Sequence, residues 1–234
     1  MRSPLLDSHP LFPKLAEYLR ENSGRVEEID GDPARAAVAI VLRAVNPTNE
    51  PAIAHHASCI THHAARDLTP SRSHDLTPSP QLEVLLILRA ERTGDPWSGQ
   101  VALPGGRMDP SDATLQDTAV RETLEETGID LGAEGLVLGT LDELRPRTPH
   151  LPPIIVTPFV AIAPPEPTLH ISDELADAFW APWSIFADPL KTDERPVSVR
   201  GDTWNVVSYE VGERVVWGMT ERMIRQLAHV MHSL

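Results

Sequence analysis

A single cysteine, Cys59, stands in the whole 234-residue chain, so no intrachain disulfide framework can hold this protein together. Runs of eighteen or more apolar residues are absent, and so is a secretory apolar core near the start; both absences lead us to expect a soluble, cytoplasmic protein. Positive charge is scarce. Against 34 Asp and Glu there are only 20 Lys and Arg, and a net charge of -14 argues against binding a nucleic acid polymer or an anionic membrane surface. An acidic chain that handles phosphates therefore needs metal ions or locally placed arginines. Proline, by contrast, is plentiful at 23 residues, which points to long irregular connections. The length suits one well-buried core with decorations and is short for two domains.

The stretch Gly105 to Gly128 carries most of the chemistry. Glu122, Glu125 and Glu126 stand at i, i+3 and i+4, which on a helix gathers three carboxylates onto one face. Like charges at that spacing repel, so the group calls for a counter-charge, and hard oxygen ligands suit Mg²⁺ or Mn²⁺. Upstream, Pro104-Gly105-Gly106 lets the backbone come close to a ligand, since glycine lacks Cβ. A solvated acidic helix face is the ordinary fate of such a charge run. The adjoining glycine turn, Arg121 and the closing Gly128 favour a phosphate-handling metal site.

These residues resemble the Nudix hydrolase signature. Arg121-Glu122-Thr123-Leu124-Glu125-Glu126-Thr127-Gly128-Ile129 follows its second half, with Thr123 where an apolar residue is usual. The first half departs: counted from Gly106 the acidic position is Asp112 rather than Glu, and eight residues instead of seven separate it from Arg121. The flanks, Leu85 to Ala90 and Gly99 to Gly106, with Asp109, Asp112 and Thr118 to Glu122, are similar to the coenzyme A diphosphatase branch. The resemblance implies an α/β fold, a Nudix-type α/β/α sandwich with a mixed central sheet and a loop-helix-loop catalytic motif. It implies hydrolysis of a diphosphate bond in a nucleoside diphosphate derivative, a small-molecule phosphoanhydride, with coenzyme A or its thioesters as first candidate. By the same resemblance Glu125, Glu126 and the Gly106 carbonyl would ligate Mg²⁺ or Mn²⁺, and Glu122 would ligate metal or deprotonate the attacking water. Arg121 would hold the catalytic glutamate. Glu174, six residues before Trp180, is a further metal ligand or base in the expected region, with Asp173, Asp142 and Glu143 as rivals.

Trp97-Ser98 and Leu103 depart from that branch, where a basic residue or His and a Phe are usual. The enzyme alternative is a nucleoside triphosphate or nucleotide-sugar pyrophosphohydrolase. A different class is a catalytically silent ligand sensor or interaction module, although such a protein would not need all three glutamates.

Taken in order, residues 1–34 hold a lead-in with an amphipathic helix, Leu11, Leu15 and Leu19 being spaced by four, and 35–234 form the hydrolase domain. Apolar strands are expected at Ala36 to Val45 and Leu82 to Arg89. Between them, 46–80 reads as a flexible insertion, rich in Pro, Ser, Thr and His, with Asp67-Leu-Thr-Pro70 repeated at Asp75 to Pro78. Its His55, His56, His62, His63 and His74 could bind Zn²⁺ or Ni²⁺, but no cysteine pairs or acids complete a set. Asp112 is the expected N-cap of the acidic helix, with Asp109 before Pro110 as the competing start, Leu115, Ala119 and Leu124 supplying apolar contacts and Gly128 at the stop.

Further strands are expected at Leu136 to Leu141 and Ile154 to Ala163, joined by a candidate substrate loop containing Arg145, Arg147 and His150. A short helix over 183–190, a hairpin around Gly212 and a last helix capped by Thr220 follow, the helix placing Met223, Ile224, Leu227 and Val230 inward. That apolar helix would equally serve a homodimer. Arg89, Arg92, Arg107, Arg145 and Arg147 are candidates for gripping substrate phosphates, each weighed against an ordinary surface role. Trp97 and Trp204 could stack on a base, but core packing competes.

Overall fold

Apolar alternation builds the centre of the molecule. A computed structural model describes residues 3–27, 31, 33–46, 80–95, 97–146, 153–188, 190, 193–199 and 202–234. β1 (Ala34–Val45) lies parallel to β6 (Ile154–Ile162) and antiparallel to β2 (Gln81–Arg89). Antiparallel β5 (Leu136–Thr140) extends the sheet beyond β6, and β7 (Leu175–Pro182) extends it beyond β2. Two short strands, β3 (Val101–Ala102) and β4 (Gly105–Arg107), complete the mixed sheet.

Their placement matters for function. β1 pairs with β2 through residues 42–45 but with β4 through 36–38, while β2 passes from β1 to β3 at Ile87 and Leu88. The segment 101–107 therefore fills the gap where β1 and β2 part, and the Ala39 N–H donates to the Pro104 carbonyl at 2.9 Å. Backbone pairing inside a sheet, rather than a free loop, sets the glycine turn.

Each face of the sheet buries its own layer. Ala37, Ala39, Val41, Leu85, Phe159, Ala161 and Ala163 face α2 (Leu115–Thr127), and the run of alanines lets that helix come close. On the other face Ile40, Leu42, Val84, Leu86, Val160 and Ile162 pack against α1 (Leu11–Glu21) and α3 (Gly218–His232). Phe12, Leu15 and Leu19 of α1 share this core with Met223, Ile224 and Leu227 of α3, Val230 being half-buried at its margin. A second sheet, β8 (Asp193–Val199), β9 (Asp202–Val211) and β10 (Arg214–Trp217), contributes Tyr209 and Val216 to it. The α/β/α sandwich expected from the sequence is the observed architecture, with α2 on one face and α1 and α3 on the other. Among the described residues no helix is long and apolar enough to cross a membrane.

Several local expectations are corrected. Among the described residues of 183–190 only the 3-10 turn Trp183–Ile185 forms, and β8 is a strand beyond those expected. α3 begins at Gly218 without a side-chain cap; Thr220 lies inside it and donates its hydroxyl to the Val101 carbonyl at 3.2 Å. The hairpin around Gly212 is present as β9 and β10. The insertion at 46–80 and its histidines lie outside the described residues apart from Asn46 and Pro80, as do Arg147 and His150.

Candidate active site on the glycine turn and acidic helix

Thr114 starts α2, not Asp112. Its hydroxyl accepts the Asp117 N–H at 3.2 Å while the Asp117 carboxylate accepts the Thr114 N–H at 2.8 Å, a reciprocal capping box. Gly128 closes the helix with φ 75°, as expected. At about 100° per residue, Leu124 sits about 140° around the helix from Ala119. It is accordingly exposed rather than inward, and Thr123, at the expected apolar position, donates its hydroxyl to the Ala119 carbonyl at 2.7 Å.

The same geometry ranks the three carboxylates by depth. Glu126 lies nearest the Ala119 line and is 4% exposed, the Glu122 side chain is 19% exposed at the boundary, and the Glu125 side chain is 59% exposed. Burial raises the Glu126 pKa from the usual 4.5 to about 7; the Gly105 N–H, donating to Oε2 at 2.9 Å, works in the opposite direction. The charges of Glu122 and Glu174 raise it further and that of Arg89 lowers it. Burial also raises Glu122, partly offset by Arg121.

Gly106 faces Glu122 at very short range. A Cβ built there would lie 2.4 Å from that carboxylate, so glycine is the residue that admits it. Gly105, at φ 151°, backs onto β1 instead. The turn thus presses one side against the central strand and the other against a carboxylate.

Arg121 organises the acids. Its Nε and Nη2 grip Asp112 Oδ1 and Oδ2, both at 2.9 Å, while Nη1 donates to Glu122 Oε1 at 2.8 Å and to Glu125 Oε2 at 3.1 Å. Nη2 also reaches the Arg107 carbonyl at 3.3 Å. The Asp112 carboxylate further accepts from Thr118 Oγ1 and the Asp109 N–H, each at 2.9 Å. Its pKa is driven far below the ordinary carboxylate range, chiefly by Arg121. Asp112, expected as a cap, is therefore the anchor of Arg121.

The remaining sequence candidates disperse. The Glu174 carboxylate pairs with Arg92 Nη1 at 3.2 Å, while Arg89 pairs with Asp95 at 2.9 Å. Among Glu174's rivals, Glu143 is buried against Arg35 and accepts the Thr157 hydroxyl at 2.7 Å, and Asp142 accepts the Arg25 N–H at 2.9 Å. Arg145 meets Glu27 at 3.9 Å, and the Arg107 side chain is exposed. Trp97 is half-buried and Trp204 is 55% exposed. Among the described residues no group of three or more His, Cys, Asp or Glu forms a ready metal cage, and Arg121 holds both Glu122 and Glu125. A cleft of about 250 Å³ beside Gly128, lined by Ile129, Asp130, Pro165 and His170 among others, contains none of these carboxylates.

A profile of the NUDIX domain matches residues 77–200, more than half of the chain and all of the turn and helix just described. The chain belongs to the Nudix family. A Nudix hydrolase of Photorhabdus laumondii, NudL, is 37% identical over 145 residues, covering 62% of this chain and 75% of that protein. A peroxisomal coenzyme A diphosphatase of Caenorhabditis elegans is 36% identical over 112 residues, covering 47% of this chain and 46% of its own length. A MutT/nudix family protein from Enterococcus faecalis superposes with a TM-score of 0.50 at 17% identity, over 98% of this chain and 75% of its own, a likeness of fold alone. As a family member this chain is a Nudix pyrophosphohydrolase, an enzyme acting on acid anhydrides in phosphorus-containing compounds.

Proposed function

We propose that this Nudix enzyme hydrolyses a diphosphate bond in a nucleoside diphosphate derivative, with coenzyme A or its thioesters as first substrate, and works with Mg²⁺ or Mn²⁺. The observation that carries the reading is the Gly105-Gly106 turn held inside the sheet with the buried Glu126 and half-buried Glu122 carboxylates directly against it. Burial makes the charged form of both carboxylates costly, which favours a further positive charge beside them, and hard oxygen donors of this kind fit a small divalent cation. Glu126 and the Gly106 carbonyl would hold it, with Glu122 beside them as the base. Glu125 would join by giving up its exposed contact with Arg121, and Glu174 would supply a ligand from outside the helix. When bound, the cation offsets charge on the bridging phosphates and acidifies water.

The chain's own residues do the rest. Glu122 takes the proton from the attacking water as the water oxygen bonds to phosphorus and the bridging P–O bond breaks to leave a phosphate. Arg121, fixed from behind by Asp112, keeps the Glu122 carboxylate in place. The 36% identity to the coenzyme A diphosphatase supports the substrate, and Leu103 in place of the usual Phe keeps nucleoside triphosphates and nucleotide sugars as the second reading.

The test is product release from coenzyme A, ADP-ribose, dinucleoside polyphosphates and nucleoside triphosphates with Mg²⁺ or Mn²⁺, wild type beside Glu125→Gln and Glu126→Gln. Turnover of coenzyme A that both substitutions abolish is expected. Folded wild type that turns over none of them would overturn the assignment and favour a ligand sensor.

A further inference from the structure

The segment before β7 is fastened at two ends. On one side the His170 and Ser172 N–H groups donate to the carbonyls of Thr127 and Glu126 at the end of α2, at 2.9 and 3.1 Å. On the other, the Ala90 N–H donates to the Glu174 carbonyl at 3.0 Å. Arg92 completes the second attachment with its Nη1 on Glu174 Oε1 at 3.2 Å and its Nη2 on the Asp173 carbonyl at 3.3 Å. Its own N–H is tied to Ser98 Oγ at 2.8 Å, so the backbone of the loop after β2 is set while the guanidinium projects outward. Glu174 thus sits two residues from a direct contact with Glu126, and its charge is felt there. Two groups with separate claims on the reaction, an arginine suited to phosphate and a carboxylate suited to a cation, occupy one another.

We propose that Arg92 is a latch on Glu174: its guanidinium holds the Glu174 carboxylate in the free protein, and a diphosphate substrate draws Arg92 off and releases that carboxylate to the divalent cation. The inference rests on the metal-dependent reading above. Both side chains are about half exposed, at 48% and 58%, and an ion pair in that setting is weak and readily exchanged. A phosphate offers the planar guanidinium a stronger, two-pronged partner. The exchange couples substrate arrival to completion of the cation site, with Arg92 as a positioning residue acting through Glu174.

Mn²⁺ affinity of the substrate-free protein, read by electron paramagnetic resonance, tests the latch apart from turnover. Arg92→Gln should tighten Mn²⁺ by about two- to five-fold, the range set by an exposed ion pair. Arg92→Lys, which keeps an ammonium on Glu174 but loses the fork, should leave Mn²⁺ affinity near wild type while raising KM for the diphosphate substrate. In a Glu174→Gln background Arg92→Gln should change nothing. Unchanged or weaker Mn²⁺ binding in Arg92→Gln overturns the latch, as does tightening that persists without Glu174, which would be a long-range charge effect. Wild type that binds no Mn²⁺, or binding that survives Glu126→Gln, would instead bring down the metal-dependent reading and the latch with it.

Discussion

Replacing Gly106 with alanine should silence the enzyme while leaving its fold almost intact, and replacing the adjacent Gly105 should do the reverse damage first. At Gly106 the new methyl would lie 2.4 Å from the Glu122 carboxylate, the far end of a flexible side chain. Ordinary contact requires the carboxylate to retreat by about 1 Å, and a displacement of that size in a reacting group costs about 100-fold in rate. At Gly105 the methyl would lie 2.3 Å from the Ala37 carbonyl oxygen and 2.6 Å from Val38 Cα, on the backbone of the central strand, with φ at 151°. Neither atom can move alone. Overpacking of about 1–3 kcal/mol adds to about 1–2 kcal/mol for the unfavourable backbone, about 3 kcal/mol in all. In a chain of this size that lowers Tm by about 6–12 °C. Thermal melts of both variants, with kcat for Gly106→Ala on the best substrate, check the contrast. A Gly106→Ala protein that keeps kcat within about three-fold of wild type, or that loses as much Tm as Gly105→Ala, would refute the assignment of the two faces of the turn.

Three further outcomes are expected. Because burial raises Glu126 from 4.5 to about 7, its contribution to stability is fully present below 4.5 and is lost as pH rises through about 7. In chelator, Glu126→Gln should therefore gain on wild type by about 2.5 kcal/mol between pH 5 and pH 8, seen as diverging Tm values; parallel curves would contradict the burial argument. Asp112→Asn, which weakens the two-point grip on Arg121, should lower kcat by about 10- to 100-fold with a Tm change of only a few degrees; unchanged kcat would remove Arg121 from the positioning of Glu122. Glu143→Gln should cost about 2 kcal/mol, less than a fully buried pair because Arg35 is partly exposed, with kcat per folded molecule unchanged. A catalytic loss there would return Glu143 to the role assigned to Glu174.

Helical spacing made the acidic face of α2 legible, since i, i+3 and i+4 describe any helix whatever surrounds it. The strand runs of β1, β2 and β6 were legible for a similar reason: apolar residues there have to be covered on both faces. Capping was harder. Asp112 has the right chemistry for an N-cap, but competition with Arg121 and Thr118 takes its carboxylate elsewhere, and Thr114 with Asp117 does the work instead. Leu124 was misplaced because an apolar residue in a helix is not thereby inward. Thr220 was misplaced because its hydroxyl serves a distant carbonyl on β3.

By itself the sequence determined the family, the metal-suited carboxylates and the order of the main elements, because these rest on local spacing and residue chemistry. Only the tertiary structure decided which carboxylate is buried, what Arg121 leans on, and that Arg92 and Glu174, far apart in the chain, hold one another. Those outcomes depend on the parting of β1 and β2, on the approach of α2 over alanines and on two turns that meet beside it. Burial and charge pairing are set by distances between segments, and no spacing along the chain encodes them.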